Sequence, residues 1–151
     1  MRNYRIEPFY FCQQIIDVVK KIEKMKVAIV GTRNEKKISY EEFVGKLEAI
    51  LKLYEIVPTR IVSGGAKGVD SYARQYANER KLPLTEYLPQ YERYGRSAPL
   101  VRNTLIVEDA DVVIAFPSET SKGTRDSIKK AKDRGKRTYV VRVPLRKLAE
   151  L

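Results

Sequence analysis

The stretch that decides the fold is TRIVSGGAKGVD, residues 59–70. Residues 59–63 form a short run with β-branched side chains, which is typical of a buried parallel strand. Three glycines follow within a few residues, at Gly64, Gly65 and Gly68. Glycines between a strand and a helix let bare backbone amides approach an anion, which the helix N-terminus helps to hold. The segment predicts a strand, a phosphate-binding turn and a helix. A tight turn needed only for packing is the alternative.

Strand and helix patterns alternate on both sides of this segment. Strands are predicted at residues 26–31, 59–63, 84–88, 111–116 and 138–142, and a polar loop at 90–97. Helices are predicted from Ser39, an N-cap, to Tyr54, and at residues 69–80, 99–108 and 124–134, the last closed by Gly135. Five strands alternating with helices predict a Rossmann-like, three-layer α/β domain with a mainly parallel sheet of about five strands.

An apolar helical face precedes the first of these strands. It consists of Cys12, Ile15, Ile16, Val19 and Ile22. We therefore predict a single domain over residues 1–151, with an N-terminal helical extension at 1–24 and a core at 25–143. The helix would pack against the sheet or against a second subunit, so a homodimer is one of the expected arrangements.

The composition narrows the classes of protein. Hydrophobic residues make up 43% of the chain, but no apolar run approaches the ~20 residues of a membrane span. The first residues lack the pattern of a secretory signal, so we expect a cytoplasmic protein without membrane association. With no histidine and a single cysteine, the chain has no Ser-His-Asp triad, no intrachain disulfide and no His-ligated zinc. We expect no metal and no required cofactor.

The formal net charge of +11 favours anionic partners, such as a nucleotide or single-stranded nucleic acid. A solvated lysine-rich surface would give the same charge. The charge alone therefore identifies no partner.

Candidate ligand-binding residues gather where the predicted strands end, because doubly wound sheets bind ligands beyond their carboxyl ends. Neither a complete G-x-G-x-x-G nor a P-loop motif is present. Arg102 would pair with a phosphate as a bidentate fork. Tyr91 and Tyr94 would stack on a base or serve only in packing. The candidates are Gly31, Thr32, Arg33, Ser63, Gly64, Gly65, Ala66, Lys67, Gly68, Asp70, Arg102, Asn103, Gly123 and Thr124.

Taken in order, these motifs resemble the SLOG superfamily. They are Val-Gly-Thr-Arg at 30–33, Ser-Gly-Gly-Ala-Lys-Gly-Val-Asp-Ser-Tyr-Ala at 63–73, Tyr-Gly-Arg-Ser-Ala at 94–98, Arg-Asn at 102–103, Ala-Asp at 110–111 and Gly-Thr at 123–124. The resemblance covers about residues 26–142, and the small YspA-type members are the most similar. The resemblance implies a module that binds a nucleotide or a nucleotide-derived phosphate ligand. Such a module would also be able to act as a sensor of that ligand.

Two other branches of the superfamily imply different functions. LOG-type, lysine-decarboxylase-like phosphoribohydrolases release the base from nucleoside monophosphates. In that comparison Arg102 and Gly123-Thr124 match, but Ser127 stands where the catalytic glutamate belongs. Asp70 and Glu119 are then the remaining carboxylate candidates for an N-glycosidic hydrolase. DprA/Smf proteins share the glycine turn and the Arg-Asn pair, and they bind single-stranded DNA without being enzymes. The LOG-type relatives, in turn, are usually dimers, and the apolar N-terminal helix would serve such an assembly.

Overall fold

All five predicted strands are present in the computed structural model, which describes residues 22–146. The strands are β1 (Glu23–Gly31), β2 (Ile56–Ser63), β3 (Leu84–Glu86), β4 (Val112–Phe116) and β5 (Arg137–Val140). The helices are α1 (Tyr40–Leu53), α2 (Val69–Glu79), α3 (Tyr91–Tyr94), α4 (Ala98–Asp109) and α5 (Lys122–Asp133). Short 3₁₀ turns occupy Glu35–Lys37 and Gly95–Ser97.

The strands form one sheet in the order β3-β2-β1-β4-β5, and every neighbouring pair is parallel. The chain builds the sheet outward from β1 to β3 and then returns to the other side of β1 to form β4. This reversal leaves a crevice beyond the carboxyl ends of β1 and β4, which is where doubly wound sheets bind ligands. The prediction of a Rossmann-like, three-layer domain is confirmed.

Two apolar layers hold the helices against the sheet. On one face, Phe43 and Leu47 of α1 and Ala73 of α2 pack against alternate residues of the central strands. On the other face, Ile106 of α4 and Ala131 of α5 do the same. β4 is buried along its whole length, as expected for a central strand covered on both faces. The core therefore positions the helices on the sheet, and the first turns of α2, α4 and α5 line the crevice.

Two predicted helix ends have the expected hydrogen bonds. The Ser39 hydroxyl accepts a hydrogen bond from the Glu42 N–H (3.1 Å), and the Glu42 carboxylate accepts one from the Ser39 N–H (3.3 Å). This reciprocal pair is a capping box, which satisfies donors that α1 itself cannot. At the end of α5, Gly135 has φ +66°, and the Lys136 N–H donates to the Ala131 carbonyl at 2.9 Å.

The element boundaries differ from the prediction in several places; for example, β2 begins at Ile56 instead of Thr59, and β3 ends at Glu86 instead of Leu88. The segment at 90–97, expected as a loop, contains α3 and a 3₁₀ turn. α5 begins at Lys122 rather than at Thr124. β1 begins at Glu23, inside the segment assigned to the N-terminal extension, because its first residues pair with β2.

The predicted N-terminal helix lies outside the described residues except for Ile22, which occupies a bend directly before β1. Between residues 22 and 146, no helix has the length and apolar character that a membrane span requires.

Candidate functional site

A cleft of about 490 Å³ lies at the carboxyl ends of β1 and β4. Its walls come from the loop after β1, the turn before α2, the first half of α4 and the first turn of α5. The structure brings nine of the predicted ligand residues to this cleft: Gly31, Thr32, Arg33, Ala66, Asp70, Arg102, Asn103, Gly123 and Thr124. The topology therefore assembles residues that are as much as ninety-three positions apart in the sequence, from Gly31 to Thr124.

The turn between β2 and α2 is shaped by close backbone contacts. Gly68 has φ +73°, and a Cβ at this position would lie 2.3 Å from the Thr32 carbonyl oxygen. That same carbonyl accepts a hydrogen bond from the Val69 N–H at 3.0 Å. Glycine at this position therefore lets the start of α2 dock on the loop after β1.

Five residues of the predicted ligand set do not line the cleft. Ser63 is fully buried and donates its hydroxyl hydrogen bond to the Ile29 carbonyl at 2.8 Å. Lys67 is exposed, and the glycines of the turn are in contact with protein atoms instead. The turn packs tightly against its neighbours, and this packing is the physical reason that Ser63 and the three glycines do not line the cleft. The five are Ser63, Gly64, Gly65, Lys67 and Gly68.

Asp70 lies in the first turn of α2 and holds the turn in shape. Its Oδ2 accepts a hydrogen bond from the Ala66 N–H at 3.1 Å. Burial raises the pKa of the Asp70 carboxyl, and the hydrogen bond from the Ala66 N–H and the nearby Arg102 charge oppose that rise. The carboxylate faces the cleft and also bonds to its own loop.

Arg102 lies within α4, is buried, and contributes to the cleft lining. Its Nη1 donates to the Gly64 carbonyl at 2.8 Å, and a Cβ on Gly64 would lie 2.7 Å from that nitrogen. Burial lowers the pKa of Arg102, and the Asp70 charge opposes the shift. An arginine remains protonated despite such a shift, so the cleft floor carries a fixed positive charge.

Asn103, the next residue, contacts the opposite wall. Its Nδ2 donates to the Gly123 carbonyl at 3.2 Å and to the Asp126 carboxylate at 3.1 Å. Its Oδ1 accepts a hydrogen bond from the Arg102 Nε at 3.1 Å. The adjacent residues Arg102 and Asn103 thus connect the turn after β2 to the start of α5.

The first turn of α5 presents backbone amides to the cleft. The Ser121 hydroxyl, at the N-cap position, instead accepts a hydrogen bond from the Ser118 N–H at 3.0 Å and makes no capping bond to the helix. Gly123 and Thr124 therefore expose the positive end of the helix dipole. Gly123 and Thr124 lie in the first turn of α5, which starts at Lys122.

The charge of the cleft lining is predominantly positive. Arg33 and Lys122 are exposed, and neither forms an ion pair with any residue between 22 and 146. Asp70 is the one carboxylate in the lining that these residues supply. Lys122 directly precedes Gly123 in the sequence and lies beside it in the cleft lining.

Of the two carboxylate candidates for catalysis, Asp70 lines the cleft and Glu119 does not. Glu119 is exposed and does not contribute to the lining. Ser127 lines the cleft, and its hydroxyl lies 3.4 Å from the Gly123 carbonyl. The Asp126 carboxylate pairs with Lys130 at 2.8 Å as well as with Asn103. Asp70, bound to its own turn, is therefore the carboxylate that faces the cleft.

The fold and the cleft define a Rossmann-like domain with an anion-binding edge, and comparison with known proteins places it in a family. The sequence profile of DNA recombination-mediator protein A matches residues 9–84, just over half of the chain. The chain belongs to this family. The matched region includes β1, the glycine turn and α2.

Two further proteins share parts of the chain. The Gene 61 protein of Mycobacterium phage D29 is 33% identical over 81 residues, which are 50% of this chain and 65% of the phage protein. The structure of DNA processing protein A from Helicobacter pylori, described for its single-stranded DNA binding mode, matches with a TM-score of 0.56. It is 23% identical and covers 82% of this chain and 67% of its own, which is a likeness of fold.

These comparisons bear on the three branches of the resemblance. The relation to DprA/Smf proteins is confirmed by the family match. The YspA-type assignment and the LOG-type hydrolase remain predictions, as do the homodimer and the cytoplasmic location.

Proposed function

We propose that this protein binds single-stranded DNA along the cleft at the carboxyl ends of β1 and β4. The observation that carries the proposal is the family match over residues 9–84, which contains the turn that forms one wall of the cleft. The structure of Helicobacter pylori DNA processing protein A, which shares the fold, was described for its single-stranded DNA binding mode. The proposal requires no cofactor.

The cleft has the charges that a phosphate backbone needs. Arg33 and Lys122 stand at its rim as exposed cations, and Arg102 adds a buried charge at its floor. The uncapped amides of α5 are oriented as in helix N-termini that bind phosphate. Binding of single strands through such groups depends strongly on salt, because each phosphate contact releases counterions.

A nucleotide-sized ligand is the second candidate. The cleft volume of about 490 Å³ lies within the range of small-molecule sites, roughly 300–1,000 Å³. In this case the cleft would hold a single nucleotide, and a nucleoside monophosphate would raise the melting temperature without any DNA.

The test is a salt titration of binding to a short fluorescein-labelled oligothymidylate, followed by fluorescence anisotropy. We expect Arg33→Ala combined with Lys122→Ala to weaken binding at low salt. The plot of log affinity against log salt has a negative slope, and the steepness of this slope should decrease by about 0.7 for each phosphate that the variant no longer neutralises. The matched control combines Lys24→Ala with Lys46→Ala, which removes two exposed cations outside the cleft lining.

Two results would contradict the proposal. One is an absence of binding to the wild-type protein at low salt. The other is an equal reduction of affinity and slope in the cleft variant and the control variant, because binding would then follow the overall charge and not the cleft.

A further inference from the structure

Two exposed tyrosines lie beside the cleft with no evident structural role. Tyr91 is 58% exposed and Tyr94 is 36% exposed, and both belong to α3. α3 passes through the turn at Gly95–Ser97 into α4, whose residues Pro99 and Leu100 line the cleft. The tyrosines therefore stand at the same edge of the sheet as the proposed DNA site.

The other tyrosines between residues 22 and 146 have partners that explain them. Their hydroxyl groups form hydrogen bonds with a carboxylate, a carbonyl or a guanidinium, or their rings stack in pairs, and Tyr76 is buried at 5% exposed. These residues are Tyr40, Tyr54, Tyr72, Tyr76, Tyr87 and Tyr139. Within the same residues, the Tyr91 and Tyr94 hydroxyls make no hydrogen bond to protein atoms, and neither ring packs on another aromatic ring. Packing in the core therefore does not account for the presence of Tyr91 and Tyr94 on the surface.

Cations accompany the two rings. The Arg93 guanidinium lies over the Tyr94 ring, 5.2 Å from its centroid. Arg96 is exposed in the following turn. Rings interleaved with arginines match the chemistry of a flexible polyanion that carries flat bases, since the rings stack on bases and the cations contact phosphates.

The backbone under the rings is held in place before any ligand arrives. The Arg93 and Tyr94 N–H groups both donate to the Gln90 carbonyl, at 3.1 and 3.0 Å. Ala98, at the start of α4, is 1% exposed and anchors the segment in the protein interior. A tyrosine has only two side-chain torsions to fix, so stacking on this segment costs little conformational entropy.

We propose that Tyr91 and Tyr94 form a stacking platform for the bases of a single strand whose phosphates lie in the cleft. This assignment rests on the proposed function and adds its mode of recognition. Stacking accepts any base, because every base has a flat face, and it predicts binding that tolerates changes in base sequence.

The test compares a normal oligothymidylate with an abasic strand of the same length, using anisotropy at fixed salt. Tyr91→Ala with Tyr94→Ala should weaken binding to the normal strand by about 5- to 150-fold for each base that loses its stacking ring. The same variant should bind the abasic strand as the wild-type protein does. Tyr91→Phe with Tyr94→Phe keeps both rings and should retain wild-type affinity, which serves as the matched control.

Each outcome separates the platform from the DNA site itself. The platform is refuted if the alanine variant binds the normal strand as tightly as wild type, or if its affinity falls equally for both strands. It is also refuted if the wild-type protein binds both strands equally. If the wild-type protein binds neither strand at low salt, the proposed function fails, and the platform fails with it.

Discussion

Replacing Asp109 with asparagine tests how the cleft-bearing helix α4 is attached to the sheet. The two carboxylate oxygens accept hydrogen bonds from Arg60 at 2.7 and 2.8 Å, and one also accepts from the Tyr87 hydroxyl at 2.9 Å. Lys26 lies 3.5 Å away. The Arg60 hydrogen bonds, opposed by burial and helped by Tyr87, lower the pKa of Asp109 to about 2.

The magnitude follows from this pKa. An ordinary aspartate pKa is about 3.9, and one pKa unit corresponds to about 1.4 kcal/mol, so the charged form of Asp109 contributes about 3 kcal/mol before solvent screening. The side chain is 16% exposed, so solvent screens this contribution only in part. Since the folded-state pKa is the lower one, the stabilisation is present at neutral pH and is lost as the pH falls from about 4 to about 2.

Urea unfolding followed by circular dichroism provides the measurement. Asp109→Asn should lower the free energy of unfolding by about 2 kcal/mol at neutral pH, and the two proteins should converge as the pH approaches about 2. Asp133→Asn breaks an exposed pair with Lys129, which solvent screens, and this control should be nearly as stable as wild type. An Asp109→Asn variant as stable as wild type at neutral pH, or a deficit that persists unchanged down to that pH, would refute the reasoning.

Three other substitutions probe the cleft and its supports. In urea unfolding, Gly68→Ala should lower the free energy of unfolding by more than about 1 kcal/mol, because its Cβ would meet the Thr32 carbonyl at a strained φ. The control Gly45→Ala has open space around it in α1 and should not destabilise the protein. Equal effects of the two substitutions would contradict this account. Ser39→Ala should lower the free energy of unfolding by about 1 kcal/mol because the capping box is removed; no change would show that the cap is dispensable. Arg102→Ala should lower both the melting temperature and DNA affinity, and unchanged stability would argue against its bond to the turn.

The parts of the fold that local pattern decides were predictable from sequence. β-branched runs predicted the strands, and Ser39 with Glu42 predicted the start of α1, because a capping box acts within four residues. The start of α5 was predicted two residues too late, at Thr124 instead of Lys122.

The candidate site was predictable in membership but not in roles. Strand ends placed Arg33, Asp70 and Arg102 at one edge. Sequence patterns cannot show that Arg102 would be buried against Gly64, thirty-eight positions earlier, because that contact depends on how α4 packs on the sheet. For the same reason the bond between Arg60 and Asp109 could not be predicted.

The adjacent bonds of Arg102 and Asn103 have a kinetic consequence. Arg102 binds the turn after β2, and Asn103 binds the start of α5. Two adjacent residues of α4 therefore set the width of the cleft. A ligand that enters meets walls already at their final separation, and association is not slowed by the ordering of a loop. Among different ligands of such a pre-organised cleft, differences in affinity arise in how quickly each one leaves.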